Sequence, residues 1–198
     1  MDNTARIPFR VALETLSQAR RDTDLVVTNM GAARVWPLIS QHPLDLHFNP
    51  STMGGVVPLA LGMAVAQPTR QVMALSGDGS LLMSLGSLIT VVASECKNLS
   101  VILLDNGRYD VTGGQETAAS RVDVRYDEIA RSAGFPSVAA SANTDSLSAT
   151  VEQLFQQPGP RFLWLRVTPA DPEELKTSTE RMPQQLDRIQ RELRQGTG

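Results

Sequence analysis

Val72-Met73-Ala74-Leu75-Ser76-Gly77-Asp78-Gly79-Ser80 carries the chain from an apolar, strand-like run through a glycine pair into a long helical pattern. Strand, glycine turn and helix in that order open an α/β unit. Two glycines let backbone amides approach a ligand closely, and a helix start adds the positive end of its dipole, so the turn suits a phosphate. A dinucleotide fingerprint would need a third Gly or Ala three positions after Gly79, where this chain has Leu82. A Walker lysine is missing too, because Ser80 is followed by Leu81. Asp78 is the odd residue, since its carboxylate would repel a bare diphosphate. A divalent cation between them removes the conflict, as hard cations such as Mg²⁺ combine one or two protein oxygens with substrate phosphates.

Outward from that turn the pattern repeats. Residues 25–28, 99–104 and 162–167 read as further strands, and their lack of clean polar alternation suits a parallel sheet covered on both faces. Helices are predicted over 9–20, 54–67, 80–95, 126–133 and 146–156, with a loop at Asn29-Met30-Gly31. The expectation is an α/β, doubly wound, mainly parallel sheet with helices on both faces. Such sheets hold ligands beyond the carboxyl ends of their strands. The strand over 99–104 ends in Asp105-Asn106-Gly107, so Asn106 offers a side-chain oxygen there, and a turn at Gly107 would bring the carbonyl of Arg108 to the same ion.

At 198 residues, with 41% apolar and 20% charged residues, the chain has the composition of an ordinary globular protein. Residues 1–169 read as one domain and 170–198 as a tail. In that tail Met182, Leu186, Ile189 and Leu193 form an apolar helical stripe, packed on its own domain or on another subunit. A net charge of -3 speaks against nucleic acid. Cys96 is the single cysteine, so a disulfide within the chain is excluded, and a reducing cytoplasm is the simplest compartment. Residues 1–10 show no apolar core of a signal peptide, and the longest apolar run, 56–66, is too short for a bilayer. The stretch 107–123, with Gly113-Gly114 and little periodicity, is long enough to be a functional loop.

Gly-Asp-Gly at 77–79, the twenty-six residues from Ser80 to Asp105, and then Asn106 resemble the motif of thiamine diphosphate-dependent enzymes. Asp105 replaces the first Asn of the more usual Asn-Asn pair. The resemblance implies that Asp78, the side chain of Asn106 and the backbone oxygen of Arg108 bind Mg²⁺, with Gly77, Gly79 and Ser80 against the diphosphate. Ser51-Thr52-Met53-Gly54-Gly55 is similar to the segment that holds the cofactor's aminopyrimidine, with Met53 propping its bent form and backbone atoms of Ser51 and Met53 on the ring edge. Taken alone, Met53 reads more simply as a core residue at a helix start, and its coupling to the downstream motif favours the cofactor role. Residues Asn106 to Gln115 resemble the loop of phosphonopyruvate and sulfopyruvate decarboxylases, although Tyr109 stands where that group often has His.

The resemblance also implies what this chain lacks. The family's catalytic glutamate belongs to a separate pyrimidine-binding domain. Glu14, Glu95 and Glu116 do not match its context, and no catalytic residue is assigned here. The expected protein is therefore a subunit of a 2-oxo acid decarboxylase, active in an α2β2 or larger hetero-oligomer with a glutamate-donating partner. A carboligase subunit shares every cofactor residue, and a non-catalytic cofactor-binding subunit is the reading from another class. Arg108, Arg121 and Arg125 are either solvated loop charges or the grip on an anionic substrate tail.

Overall fold

The computed structural model describes residues 5–50 and 52–195. Its elements are α1 (Phe9–Ala19), β1 (Leu25–Asn29), α2 (Met30–Val35), β2 (Asp45–Phe48), α3 (Val56–Ala66), β3 (Val72–Gly77), α4 (Asp78–Leu82), α5 (Ser87–Ala93), β4 (Leu99–Asp105), β5 (Arg108–Tyr109), β6 (Gln115–Glu116), α6 (Tyr126–Ala133), β7 (Ser137–Ser141), α7 (Leu147–Phe155), β8 (Arg161–Arg166) and α8 (Met182–Gln195). Six strands form one sheet in the order β2-β1-β3-β4-β8-β7, every neighbour pair parallel.

Side chains on a strand point alternately to the two faces, so a strand apolar throughout needs cover on both. The chain supplies it. Val27, Ala74, Val101 and Phe162 pack under α3, α5 and α6, together with Ile189 of α8. Val26, Met73, Ile102 and Leu163 pack under α1, α2 and α7. This is the doubly wound α/β sheet that the strand pattern predicts.

Several local expectations change. The helix predicted over 80–95 is two, because residues 83–86 form a turn in which the amide of Ser84 bonds the carbonyl of Leu81 (2.9 Å). The loop predicted at 29–31 is instead the last residue of β1 and the start of α2, with Met30 at a φ of 49°. β2 and β7 were not foreseen. β7 is Ser-Val-Ala-Ala-Ser, which has little strand propensity and forms because it pairs with β8 at the sheet's edge. The stretch 107–123 holds a two-strand hairpin, β5 with β6, rather than a structureless loop.

The stripe on α8 packs onto this chain, along the free edge of β2. Gln185, fully buried, accepts from the His47 amide (2.7 Å) and donates to the His47 carbonyl (3.2 Å). Arg188 donates to the carbonyls of His42 and Asp45, each at 3.2 Å. An open edge strand is thereby covered by side chains. Leu186 of the stripe stays 43% exposed. No helix among the described residues is long and apolar enough to cross a membrane.

Candidate functional site

The strand order reverses between β1 and β3, since β1 continues to β2 on one side and β3 to β4 on the other. Ligands of open α/β sheets bind at such a point, beyond the carboxyl ends of the strands. A cleft opens there. Its lining brings Met53, Gly77, Gly79, Ser80, Asn106, Arg108 and Tyr109 together, joined by Asn29 from the end of β1. Ser51 lies outside the described residues. Arg121 and Arg125 stand apart from the cleft: Arg125 pairs with Asp127 (3.0 Å), and Arg121 lines a different depression beside Asp105 and Tyr126.

Hydrogen bonds lock the two sequence segments at this cleft. Ser80 Oγ accepts from the amide of Gly54 and from Asn29 Nδ2, both at 2.9 Å, and Ser84 Oγ donates to the carbonyl of Gly54 (2.8 Å). Gly54 has a φ of 84°, and a Cβ there would meet Ser84 at 2.9 Å, so both conformation and space require glycine. At Gly79 a Cβ would lie 2.2 Å from the Tyr109 ring, which packs directly against this backbone. At Gly77 a Cβ would meet nothing within 4 Å, which leaves room beside the peptide.

Asp78 sits beneath this floor with no exposed surface. Its Oδ2 accepts from Thr117 Oγ1 at 2.8 Å, while Oδ1 is buried without a partner. Burial first, and the nearby charge of Asp105 second, push its pKa up to about 6, against the hydrogen bond from Thr117. A buried carboxylate oxygen without a partner is expensive, and a cation is the natural remedy. Asn29 Oδ1 is a second buried acceptor without a partner. Asn106 is set by its neighbours: Oδ1 accepts from the Arg108 amide (2.8 Å), and Nδ2 donates to Asp110 Oδ2 (2.6 Å), which also accepts from the Ala170 amide (3.1 Å). Burial raises the Asp110 pKa.

The residues therefore fit a cation with a phosphate ligand. Among the described residues no cluster of three or more His, Cys, Asp or Glu could hold a metal by itself. One carboxylate with amide and backbone oxygens is a set that needs phosphate oxygens to complete it. Tyr126, also buried without a hydroxyl partner, stacks edge-on against Trp164 at 5.8 Å. Its phenol is raised well above its usual pKa by burial and by the charges of Asp78 and Asp105.

Thr117, Asp110 and Asn29 are the residues that sequence reading missed. Thr117 meets Asp78 across thirty-nine positions, through a hairpin without apolar periodicity, so local pattern carried no trace of it. Asn29 was findable, as a polar residue ending an apolar strand. The acidic candidates lie elsewhere: Glu14 pairs with Arg10 (2.8 Å), and Glu95 and Glu116 are exposed.

Comparisons with known proteins meet this geometry. Residues 27–164 match the family model described as thiamine pyrophosphate enzyme, C-terminal TPP binding domain. The chain is 36% identical over 169 residues to phosphonopyruvate decarboxylase of Streptomyces viridochromogenes, covering 84% of this chain and 41% of that protein. It is 35% identical over 161 residues to sulfopyruvate decarboxylase subunit beta of Methanothermobacter thermautotrophicus, covering 81% of this chain and 82% of that subunit. The chain thus spans about two fifths of the phosphonopyruvate decarboxylase and most of the beta subunit. Among solved structures, a protein described as a thiamin diphosphate-dependent enzyme from Mycobacterium smegmatis superposes with a TM-score of 0.68 at 25% identity, over 83% of this chain and 32% of that one.

Proposed function

The chain belongs to the thiamine pyrophosphate enzymes, as their C-terminal cofactor-binding domain, and from that premise we propose that it is the diphosphate- and Mg²⁺-binding subunit of a small 2-oxo acid decarboxylase. The likeness to a sulfopyruvate decarboxylase beta subunit supports a two-chain enzyme, in which a partner carries the pyrimidine-binding domain and its glutamate. The single observation that carries the site assignment is the buried, unpartnered Oδ1 of Asp78 at a strand end beside open space at Gly77. Asp78 and Asn106, with the backbone oxygen of Arg108, would hold the ion. Gly77, Gly79 and Ser80 would lie along the diphosphate. Ser51 and Met53 would support the aminopyrimidine, with Tyr109 closing the cleft over Gly79.

When bound, the cofactor supplies a thiazolium carbon that takes up the electrons left by departing CO₂. The chain's own share is positional. The Ser80 hydroxyl ties the turn at Gly54 to the floor, which fixes the distance between the two cofactor-holding segments. Asp110 accepts from Asn106 Nδ2, which turns the amide so that its oxygen lies on the side of the Arg108 backbone. Met53, Leu104 and Val111 give the cleft apolar walls that exclude water from the reacting centre. Arg108 is the arginine of this cleft, suited to an anionic substrate tail.

The test is to co-express the chain with a short companion bearing a pyrimidine-type domain, purify the complex, and follow CO₂ release from sulfopyruvate and phosphonopyruvate with Mg²⁺ and thiamine diphosphate. Turnover that needs both chains is expected. Carbon–carbon bond formation without net aldehyde release would replace the decarboxylase reading with a carboligase. A complex that binds cofactor yet turns over neither substrate class would make it a non-catalytic subunit.

A further inference from the structure

Arg161 begins β8, at the end of the sheet opposite the cleft. It is only 8% exposed. Its guanidinium donates from Nε to the carbonyl of Gln157 (2.7 Å) and from Nη1 to Gln71 Oε1 (2.7 Å) and Ser100 Oγ (3.5 Å). All three acceptors are neutral. Arg161 forms no ion pair among the described residues, which is unusual for a guanidinium so enclosed.

The charged neighbours do not supply the missing anion. Asp24 is buried, but both its oxygens are taken by Arg21: Oδ1 by Nη2 (2.8 Å) and Nε (3.1 Å), Oδ2 by the backbone amide (3.0 Å). Burial first, and the positive charge of Arg21 second, push the Arg161 pKa below the ordinary arginine value, and Asp24 offsets this only in part. Glu152 is exposed at the rim, where its Oε1 accepts from Ser148 of its own helix (3.1 Å). The Gln157 carbonyl, just past α7, offers only the partial charge of a helix end.

Beside this guanidinium is a cavity of about 270 Å³, between the ends of α1 and α7 and the sheet. Arg161, Arg21, Ser100, Gln71 and Gln156 face it, along with the carboxylates of Asp24, which Arg21 neutralises, and of Glu152 at the rim. We propose that this cavity binds a compact oxyanion, a carboxylate or a phosphate group, with Arg161 as its counter-charge and the Ser100 hydroxyl and Gln156 amide as further donors. With Nε and Nη1 engaged, Nη2 is the nitrogen available to donate to such a group, and the permanent charge of the guanidinium makes it the suitable anchor. The site is separate from the cofactor cleft, since the two lie at opposite ends of the parallel strands. Its existence is independent of the cofactor reading.

The experiment is a calorimetric titration of the full chain with inorganic phosphate at pH 7, in EDTA and without thiamine diphosphate. One saturable site is expected, weakened at least about tenfold by Arg161→Gln, the scale of one lost charge-assisted hydrogen bond. The same loss is expected from Gln156→Glu, an exposed position whose new carboxylate would occupy Arg161 and repel the anion. That variant decides the matter if circular dichroism shows Arg161→Gln to be unfolded. Asp78→Ala should leave the affinity unchanged. Acetate that displaces the phosphate shows that the site also accepts a carboxylate, and acetate that does not restricts it to phosphate groups. The proposal fails if the wild type shows no saturable binding of either phosphate or acetate up to about 10 mM, if Gln156→Glu binds as the wild type does, or if Asp78→Ala removes the site.

Discussion

Two buried polar clusters in this chain are built on opposite terms. At the edge of β2, the amide of Gln185 closes on both backbone groups of His47, and Thr28 Oγ1 meets His47 Nδ1 at 3.0 Å. Under the cleft, Asp78 has one oxygen satisfied by Thr117 and the other left bare. Both clusters are about equally enclosed, so burial does not separate them. Satisfaction does. A closed cluster contributes to stability, whereas an open one holds back an interaction that only a ligand can complete.

Breaking the open cluster should give the largest effect. Asp78→Ala is expected to weaken Mg²⁺-dependent thiamine diphosphate binding more than about a hundredfold, beyond what a supporting residue costs. The melting temperature of the metal-free chain should not fall, because an unpaired buried charge is removed. Calorimetric titration and a thermal melt on the same preparation read both. Breaking the closed cluster should do the reverse. Gln185→Leu leaves the His47 amide and carbonyl unpaired and should cost roughly 2–4 kcal/mol in a urea melt, with cofactor affinity unchanged once folded.

The pH dependence sharpens the contrast. In the metal-free chain Asp78 has its pKa raised to about 6, so the fold holds its proton where the unfolded chain has lost it. Its contribution is present below the ordinary carboxylate value and is lost as pH rises from about 4 to about 6, by roughly 2–3 kcal/mol. His47 runs the other way. Burial lowers its pKa to about 4, so its contribution is present above the ordinary histidine value and is lost as pH falls toward 4. Relative to wild type, Asp78→Asn should therefore gain stability as pH rises from 4 to 6, measured by urea melts along that range. A smaller effect is expected at Asp110, which orients Asn106 without meeting the ion itself. Asp110→Ala should weaken Mg²⁺-dependent binding about tenfold, read by the same titration.

The contrast also marks what the sequence could disclose. Strands β1, β3, β4 and β8 were legible because an apolar run buried on both faces needs no partner to be recognised. The turn at 77–80 was legible because a carboxylate between two glycines is a local contradiction that asks for a cation. β2 and β7 were not, since one carries Asp45 and His47 and the other is mostly Ala and Ser; pairing, rather than propensity, makes them strands. The supports of the site were hidden for a related reason. Thr117 and Asp110 reach it through the hairpin of β5 and β6, and no periodicity announces a contact made by a loop that folds back on itself. The break between α4 and α5 was missed because apolar residues continue through it. The turn at 83–86 is set by Ser84, which is held at Gly54 by a contact thirty positions away.

Crystals of the chain, or of its complex with a partner, grown with Mn²⁺ and thiamine diphosphate allow the most direct check. An anomalous difference map should show one manganese peak bonded to Asp78 Oδ1 and to the side-chain oxygen of Asn106, with diphosphate oxygens completing its shell. Ordered diphosphate at Gly77 with no manganese at Asp78, or manganese bound elsewhere on the chain, would contradict the account.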